Sequence, residues 1–354
     1  MSAISIVILA FSLLGALDRI CGNKLGLGKE FERGFELFAA MAQTMIGLII
    51  IAPAVGVWLK PLLDGFYEML HIDPSVIPAL VLANDMGGAS LAVEIAKDPA
   101  IGGFNAYVVS SMMGCVISFT IPFASGIVSS DRHRELFFGF LCGIVTIPLG
   151  CIVGGFLCGL TVGQIFLTLL PMILIAAVIA VGLVFAPDLC VKIFRVFGTF
   201  MKIVATAGLA MGIFAFLTGK VICADFDTLE EGARICVNAC VTLSGAFPMM
   251  YLVGKLLKRP VGAFGNALGI NSTSALAFIP TLVTNATTFG MMRDMDKKGI
   301  VLNAAFTVSA AFVFGGHLGF TMSMNGDYAA AMIISKLISG VAAVVLAMAV
   351  YKEK

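Results

Sequence analysis

Charge is scarce in this 354-residue sequence. Asp, Glu, Lys and Arg make up 12% of it and hydrophobic residues 60%, whereas soluble domains average about 25% charged and about 45–50% apolar. No segment is long and polar enough to form a separate soluble domain, and no run of Lys or Arg is long enough to favour nucleic acid as a partner. Together with a mean hydropathy of +1.05, these absences indicate a polytopic protein embedded in a lipid bilayer.

The signatures of common enzymes and metal sites are also missing. The nine cysteines include no C-x-x-C pair, and Gly-x-Ser-x-Gly, His-Glu-x-x-His and the phosphate-binding G-x-x-x-x-G-K-[ST] do not occur. We therefore expect no cofactor, no metal and no ATP-driven pump, and we interpret the chain as a small-molecule transporter. An intramembrane enzyme that uses Asp85 and His317 as acid and base remains an alternative, as does a non-transporting membrane sensor or subunit.

Eleven apolar stretches follow one another along the chain, and two of them differ from the rest. The stretches 74–98 and 262–292 contain proline, glycine and asparagine. Such residues are tolerated at membrane depth only where the backbone is buried in protein or lines a cavity. We predict that both stretches are re-entrant or broken helices. The other nine are predicted spans, near 3–21, 34–58, 104–128, 135–160, 163–187, 199–221, 233–257, 300–324 and 328–351.

The sequence also repeats itself weakly. The motif at 77–81, Ile-Pro-Ala-Leu-Val, recurs at 279–283 as Ile-Pro-Thr-Leu-Val, and several other identities recur in the same order at offsets near 198. We predict one repeat at 1–160 and a second at 198–354, joined by a connecting span within 161–197.

The distribution of basic residues decides between two topologies. Eleven full spans would divide Lys and Arg almost evenly, 12 to 9, between the two sides. If the two unusual stretches re-enter, one side carries 17 and the other four, with Lys336 inside a span. Because cytoplasmic loops are rich in Lys and Arg, we predict an all-α polytopic fold with about nine crossings, an outside N-terminus, a cytoplasmic C-terminus and inverted repeats. Eleven full spans remain the alternative.

Candidate binding residues lie in the unusual stretches and in one glycine-rich span. Asp85 is a charge at membrane depth, which is usually functional or paired; it would bind a cation or a proton, or form an ion pair with Lys336. His317 would relay protons or be a hydrogen-bonded core residue. We predict that Asp85 and Asn285 face one cavity, because paired irregular segments of inverted repeats converge near the midplane. The full set of predicted substrate-binding residues is Asn84, Asp85, Asn271, Thr284, Asn285 and His317.

Glycines recur between Gly139 and Gly159 at spacings that include G-x-x-x-G, the pattern of a close helix-packing face. The spacing leaves open whether this face packs inside the protomer or across a homodimer.

Several stretches resemble the bacterial ethanolamine-utilisation transporter (ethanolamine permease) family. They are Asp85-Met86-Gly87-Gly88, Ser111-Met112-Met113-Gly114, Gly143-Ile144-Val145-Thr146-Ile147-Pro148, Phe289-Gly290-Met291-Met292, Val308-Ser309-Ala310-Ala311-Phe312 and His317-Leu318-Gly319-Phe320. The resemblance implies uptake of ethanolamine through the bacterial inner membrane, as a source of carbon and nitrogen. The residue types agree, since a carboxylate suits an ammonium and Asn or Thr groups suit a hydroxyl.

Overall fold

The computed structural model describes residues 2–352, with side chains described there except at 66, 258–260 and 262–264, and its regular elements are helices. No strand occurs in that range. We label the α-helices α1 to α17 in chain order. Their bounds are Ala3–Ile20, Leu27–Glu36, Phe38–Leu70, Val76–Val81, Gly88–Ile95, Pro99–Phe104, Ile121–Ile127, His133–Leu157, Val162–Phe185, Pro187–Thr218, Leu229–Leu268, Ser272–Leu276, Phe278–Thr281, Asn285–Met291, Lys297–Ala310, Gly316–Asn325 and Ala329–Val350.

Eight helical stretches in the described range are long and apolar enough to cross a bilayer. The helices at the periphery, α1, α9 and α10, bury few of their residues and expose large apolar side chains such as Leu13, Phe185 and Ile203. Exposed apolar surface of this extent is what a helix surrounded by lipid tails presents. The predicted class, an all-α polytopic membrane protein, is confirmed.

The first unusual stretch is a pair of short helices whose two ends meet. Helices α4 and α5 have six and eight residues, or about 9 and 12 Å at 1.5 Å per residue, and neither alone can cross a core of about 30 Å. The Asp73 carboxylate, just before α4, accepts hydrogen bonds from the backbone N–H groups of Lys97 (3.0 Å) and Asp98 (2.9 Å), just after α5.

The second unusual stretch has the same construction, but it begins later than predicted. Helix α11 continues to Leu268 and ends at Gly269, which adopts a φ of 65°, so 262–268 belong to the preceding span. The short helices α12, α13 and α14 then follow. Their ends also meet, since the Asn271 N–H donates to the Asp296 carboxylate (2.9 Å) and its side-chain amide donates to the Asp294 carbonyl (3.0 Å).

The break between α4 and α5 is stabilised by an irregular helix that packs against it. Between α6 and α7 the chain winds in wide π-helical turns, Asn105–Gly114 and Val116–Thr120. Ser110 in this segment donates its hydroxyl to the freed carbonyl of Leu82 (2.7 Å), and the Ser118 hydroxyl accepts from the N–H of Ala83 (3.1 Å). Backbone groups that the break releases are therefore bonded by protein, as the membrane interior requires.

The predicted span at 300–324 is interrupted in the structure. The chain unwinds at 311–315, between α15 and α16. The unwound segment crosses the break between α13 and α14, where the N–H of Phe314 donates to the Leu282 carbonyl (2.8 Å). Because each broken segment supplies the hydrogen bonds that the other lacks, the two breaks are stable together at membrane depth.

The glycine face of α8 packs inside the protomer. A Cβ atom at Gly139 would meet Val301 and Ala304 of α15, and one at Gly150 or Gly154 would meet Ser335 of α17. Close approach of three helices thus explains the spacing of Gly139, Gly150 and Gly154, whereas Gly159 is exposed and has no neighbour within 4 Å of an added Cβ atom.

Candidate functional site

A cavity of about 320 Å³ lies where the two broken segments approach each other. The first segment contributes Asp85 and Met86, and the second contributes Val283 and Thr284. An adjoining space of about 250 Å³ shares Asp85 and extends inward to His317. The two stretches that the sequence singled out therefore line one cavity.

Asp85 reaches the cavity because it lies in the tight turn between α4 and α5. The turn ends at Gly87, whose φ of 85° is in the left-handed region that favours glycine. Gly316 leaves space on the opposite wall, since a Cβ atom there would lie 3.0 Å from Oδ2 of Asp85. The Asp85 side chain is 24% exposed, so its carboxylate is accessible from the cavity.

A row of polar groups continues from Asp85 into the interior. Nε2 of His317 lies 3.8 Å from the Asp85 carboxylate, which is ion-pair distance but longer than a hydrogen bond. On the other side of the ring, Nδ1 lies 3.2 Å from the Lys336 ammonium, which also donates to the carbonyl of Ser111 at 2.6 Å. His317 and Lys336 are each 1% exposed. Asp85 and Lys336 are thus connected through one imidazole.

The row fixes the tautomer of His317. A lysine ammonium has hydrogen-bond donors and no acceptor, so Nδ1 must accept from Lys336. The ring proton is then on Nε2, which points at the Asp85 carboxylate. The imidazole is neutral in this arrangement, and the negative charge of Asp85 is balanced by Lys336 across it.

Aromatic rings form the wall beside Asp85. Phe312 lies in the unwound segment 311–315 and has a φ of 62°. A bulky residue adopts this conformation only at a local cost of about 1–3 kcal/mol. The ring centroid of Phe312 lies 5.7 Å from that of Phe119 and 5.0 Å from that of His317. The unusual backbone at Phe312 therefore positions its ring in the wall of the cavity that Asp85 also lines.

The cavity continues into a wider vestibule of about 450 Å³. The two share Arg33, Phe247, Val283 and Thr284. The Arg33 guanidinium stacks 5.2 Å from the Phe247 ring and pairs with Glu30 at 3.2 Å. Charged groups therefore mark the mouth, and the lone carboxylate marks the inner end.

Three of the predicted site residues line the connected cavity, namely Asp85, Thr284 and His317. Three do not. Asn84 is fully buried behind Asp85, and its amide donates to the His317 carbonyl and the Thr321 hydroxyl. Asn285 is fully buried against Thr120. Asn271 is an exposed cap of α12.

Sequence reasoning missed part of this site. Lys336 was visible as the one basic residue inside a predicted span, yet nothing in the sequence tied it to His317. Thr44 lines the cavity but was not among the predicted site residues. Phe119 and Phe312 carried no signal, because Phe occurs 28 times in the chain.

Comparison with known proteins places the chain in a family. The family model described as "Ethanolamine utilisation protein, EutH" matches residues 1–350. The chain belongs to the EutH family. It is 42% identical over 334 residues to the "Probable ethanolamine permease EutH" of Listeria monocytogenes, which covers 94% of this chain and 90% of the relative.

Two further relatives extend the comparison. The "Uncharacterized protein YxeR" of Bacillus subtilis is 39% identical, over 96% of this chain and 92% of the relative. The "Probable ethanolamine permease EutH" of Escherichia coli is 34% identical, over 97% and 93%. No solved structure matches the chain. EutH is a permease family rather than an enzyme family, so the chain is a multi-pass bacterial membrane protein and not an enzyme.

Proposed function

We propose that this EutH-family protein takes up ethanolamine across the bacterial inner membrane and binds it as the ammonium at Asp85. The observation that carries this proposal is a carboxylate at membrane depth, open to a cavity and faced by aromatic rings. A cation over an aromatic face gains about 0.5–2 kcal/mol, and a charge-assisted hydrogen bond is worth about 1.5–3 kcal/mol. Both interactions select a small cationic amine over a neutral alcohol.

The hydroxyl of ethanolamine is assigned to threonines rather than to Asn285. Thr284 and Thr44 line the cavity together with Asp85, and each hydroxyl can donate and accept a hydrogen bond. Asn285 lies one residue beyond Thr284, buried against Thr120. The proposed site is therefore Asp85, Thr284 and Thr44, with Phe119 and Phe312 around the ammonium.

The inverted-repeat architecture is proposed on the basis of reciprocal contacts. A Cβ atom at Gly47 in α3 would collide with the carbonyl of Ala205 in α10, and one at Gly245 in α11 would collide with the carbonyl of Ile8 in α1. The two glycines are 198 positions apart and their two partners 197. Each repeat thus places its long second span against the first span of the other, as a two-fold relation demands.

The two broken segments, 73–98 and 271–296, are called the hairpins below. The contacts that join their ends form a second reciprocal pair. Asp73 accepts from the N–H of Asp98, and Asn271 donates its N–H to Asp296, again at an offset of 198. Because the ends of each hairpin meet, re-entry on one side is favoured over a full crossing. We propose nine crossings, counting 297–325 as one interrupted span, with repeats at 1–160 and 198–354 and a connecting span within 161–197.

Orientation is proposed from the basic residues. In the proposed topology the N-terminus is outside, the C-terminus is cytoplasmic, and the vestibule opens to the cytoplasm, because Arg33 and Lys255 lie at its mouth. Cysteines introduced as Lys24→Cys and Asp225→Cys, in a protein freed of native cysteines, should react with impermeant reagent from opposite sides. Reaction of both from the same side would contradict the proposed topology.

Uptake by proteoliposomes tests the function. Purified protein should admit labelled ethanolamine above the level of empty liposomes, and the label should be recovered chemically unchanged. Ethylamine, which lacks the hydroxyl, should compete weakly, and ethylene glycol, which lacks the amine, should not compete. Binding without flux would indicate a sensor instead, and absence of both would overturn the proposal.

A further inference from the structure

Lys336 is a buried charge that substrate binding at Asp85 must affect. The residue is 1% exposed, and the imidazole of His317 lies between its ammonium and the Asp85 carboxylate. The other titratable groups that act on it are the thiols of Cys115 and Cys151, both of which are buried, and a buried thiol stays neutral. The cluster therefore contains one negative and one positive charge, and its net charge is zero while the cavity is empty.

Entry of an ammonium upsets this balance. With ethanolammonium on Asp85, the cluster would hold two cations and one anion at membrane depth, where an uncompensated charge costs at least about 2.5–3.5 kcal/mol. The imidazole offers a way to restore neutrality, because its two nitrogens connect Lys336 to the cavity.

We propose that Lys336 is the resident cation of the substrate site, and that it gives up one proton through His317 when ethanolammonium binds Asp85. This inference rests on the proposed function. An Nζ–H bond of Lys336 breaks as an Nδ1–H bond forms, and the Nε2–H bond of His317 breaks as its proton passes to water in the cavity. Lys336 is left as a neutral amine that accepts from Nδ1–H, and the imidazole remains neutral in its other tautomer.

The exchange determines what crosses the membrane. The proton leaves on the side from which the substrate entered, and release on the other side takes one back along the same path. The substrate is recognised as a cation, yet the net species transported is neutral ethanolamine. Transport is then electroneutral, and a membrane potential does not drive it.

Proton release on binding tests the inference. Calorimetric titration of purified protein with ethanolamine, in buffers of different ionisation enthalpy, should show about one proton released per molecule bound. Because the bound state holds one proton fewer, the association constant should rise about tenfold per pH unit between about pH 6 and 8, where the free amine stays protonated.

Two variants and a control make the test specific. Lys336→Arg keeps the counter-charge of Asp85 but cannot deprotonate, so its proton count should be near zero and its affinity should lack the pH slope. It should bind at least about tenfold more weakly than Lys336→Met at neutral pH. Ser335→Ala, which removes a neighbouring buried hydroxyl, should keep the proton count of the native protein.

Each outcome has a distinct meaning. Binding by the native protein without proton release would overturn the inference and leave the proposed function standing. Release that persists in Lys336→Arg would assign the proton to another group and also overturn it. No binding by the native protein would overturn the proposed function itself.

Discussion

Replacing Asp85 with asparagine removes the only charge that lines the inner cavity in the described part of the chain, with little change in side-chain size. The loss of a charge-assisted hydrogen bond costs about 1.5–3 kcal/mol. At about 1.4 kcal/mol per factor of ten, ethanolamine affinity should fall by about one to two orders of magnitude. We expect the upper part of this range, since about three quarters of the Asp85 side chain is buried and only 24% is exposed.

The measurement is ethanolamine binding to purified protein, with thermal unfolding in the same detergent as the check on folding. Glu94→Gln is the matched control, because Glu94 lies on the same hairpin and is exposed in a separate pocket beside Lys97. It should bind ethanolamine like the native protein. An affinity for Asp85→Asn within about threefold of native, less than about 0.7 kcal/mol, would remove Asp85 from the site.

Two further predictions concern the repeats and the aromatic wall. Gly47→Ala and Gly245→Ala should each lower stability by about 1–3 kcal/mol through overpacking, measured as a lower midpoint of thermal unfolding. Gly65→Ala is the control and should not lower it, because the added Cβ has no neighbour within 4 Å. A marked difference between Gly47→Ala and Gly245→Ala would argue against equivalent repeats. Phe312→Leu keeps the strained backbone and loses the ring, so ethanolamine affinity should fall about two- to thirty-fold. Phe306→Leu, away from the cavity, should leave the affinity unchanged. Equal effects of the two substitutions would point to packing rather than to cation binding.

The breaks in the two hairpins could be predicted because proline and glycine occur at them in the sequence. Pro78, Gly87 and Pro280 are poor continuations of a helix at membrane depth. The unwound segment at 311–315 carries no comparable signal before its two glycines. Its first four residues, Ala-Phe-Val-Phe, are as apolar as an ordinary turn of a membrane helix. Its break depends on hydrogen bonds to the second hairpin, which are long-range and invisible in a window of sequence.

Single side chains in the hairpins were harder to assign than the hairpins themselves. Thr284 is the extended residue that caps α14, with a φ of −155°, and it faces the cavity. Asn285 is the first residue of the helix and turns inward to Thr120. Adjacent residues at a helix start point in different directions, so the choice between them depends on where the helix begins, and boundaries are the least certain part of a sequence reading.

The buried lysine shows why composition alone could not complete the site. A charge inside a span requires a partner, and the sequence offered Asp85 as that partner. The structure places His317 between them, at the first turn of α16, because the chain unwinds just before it. A direct pair would occupy the carboxylate fully and leave nothing for a substrate. An imidazole in between keeps the charge of Asp85 balanced by Lys336 and leaves the carboxylate open to the cavity, as the proposed site requires, and the break at 311–315 places that imidazole there.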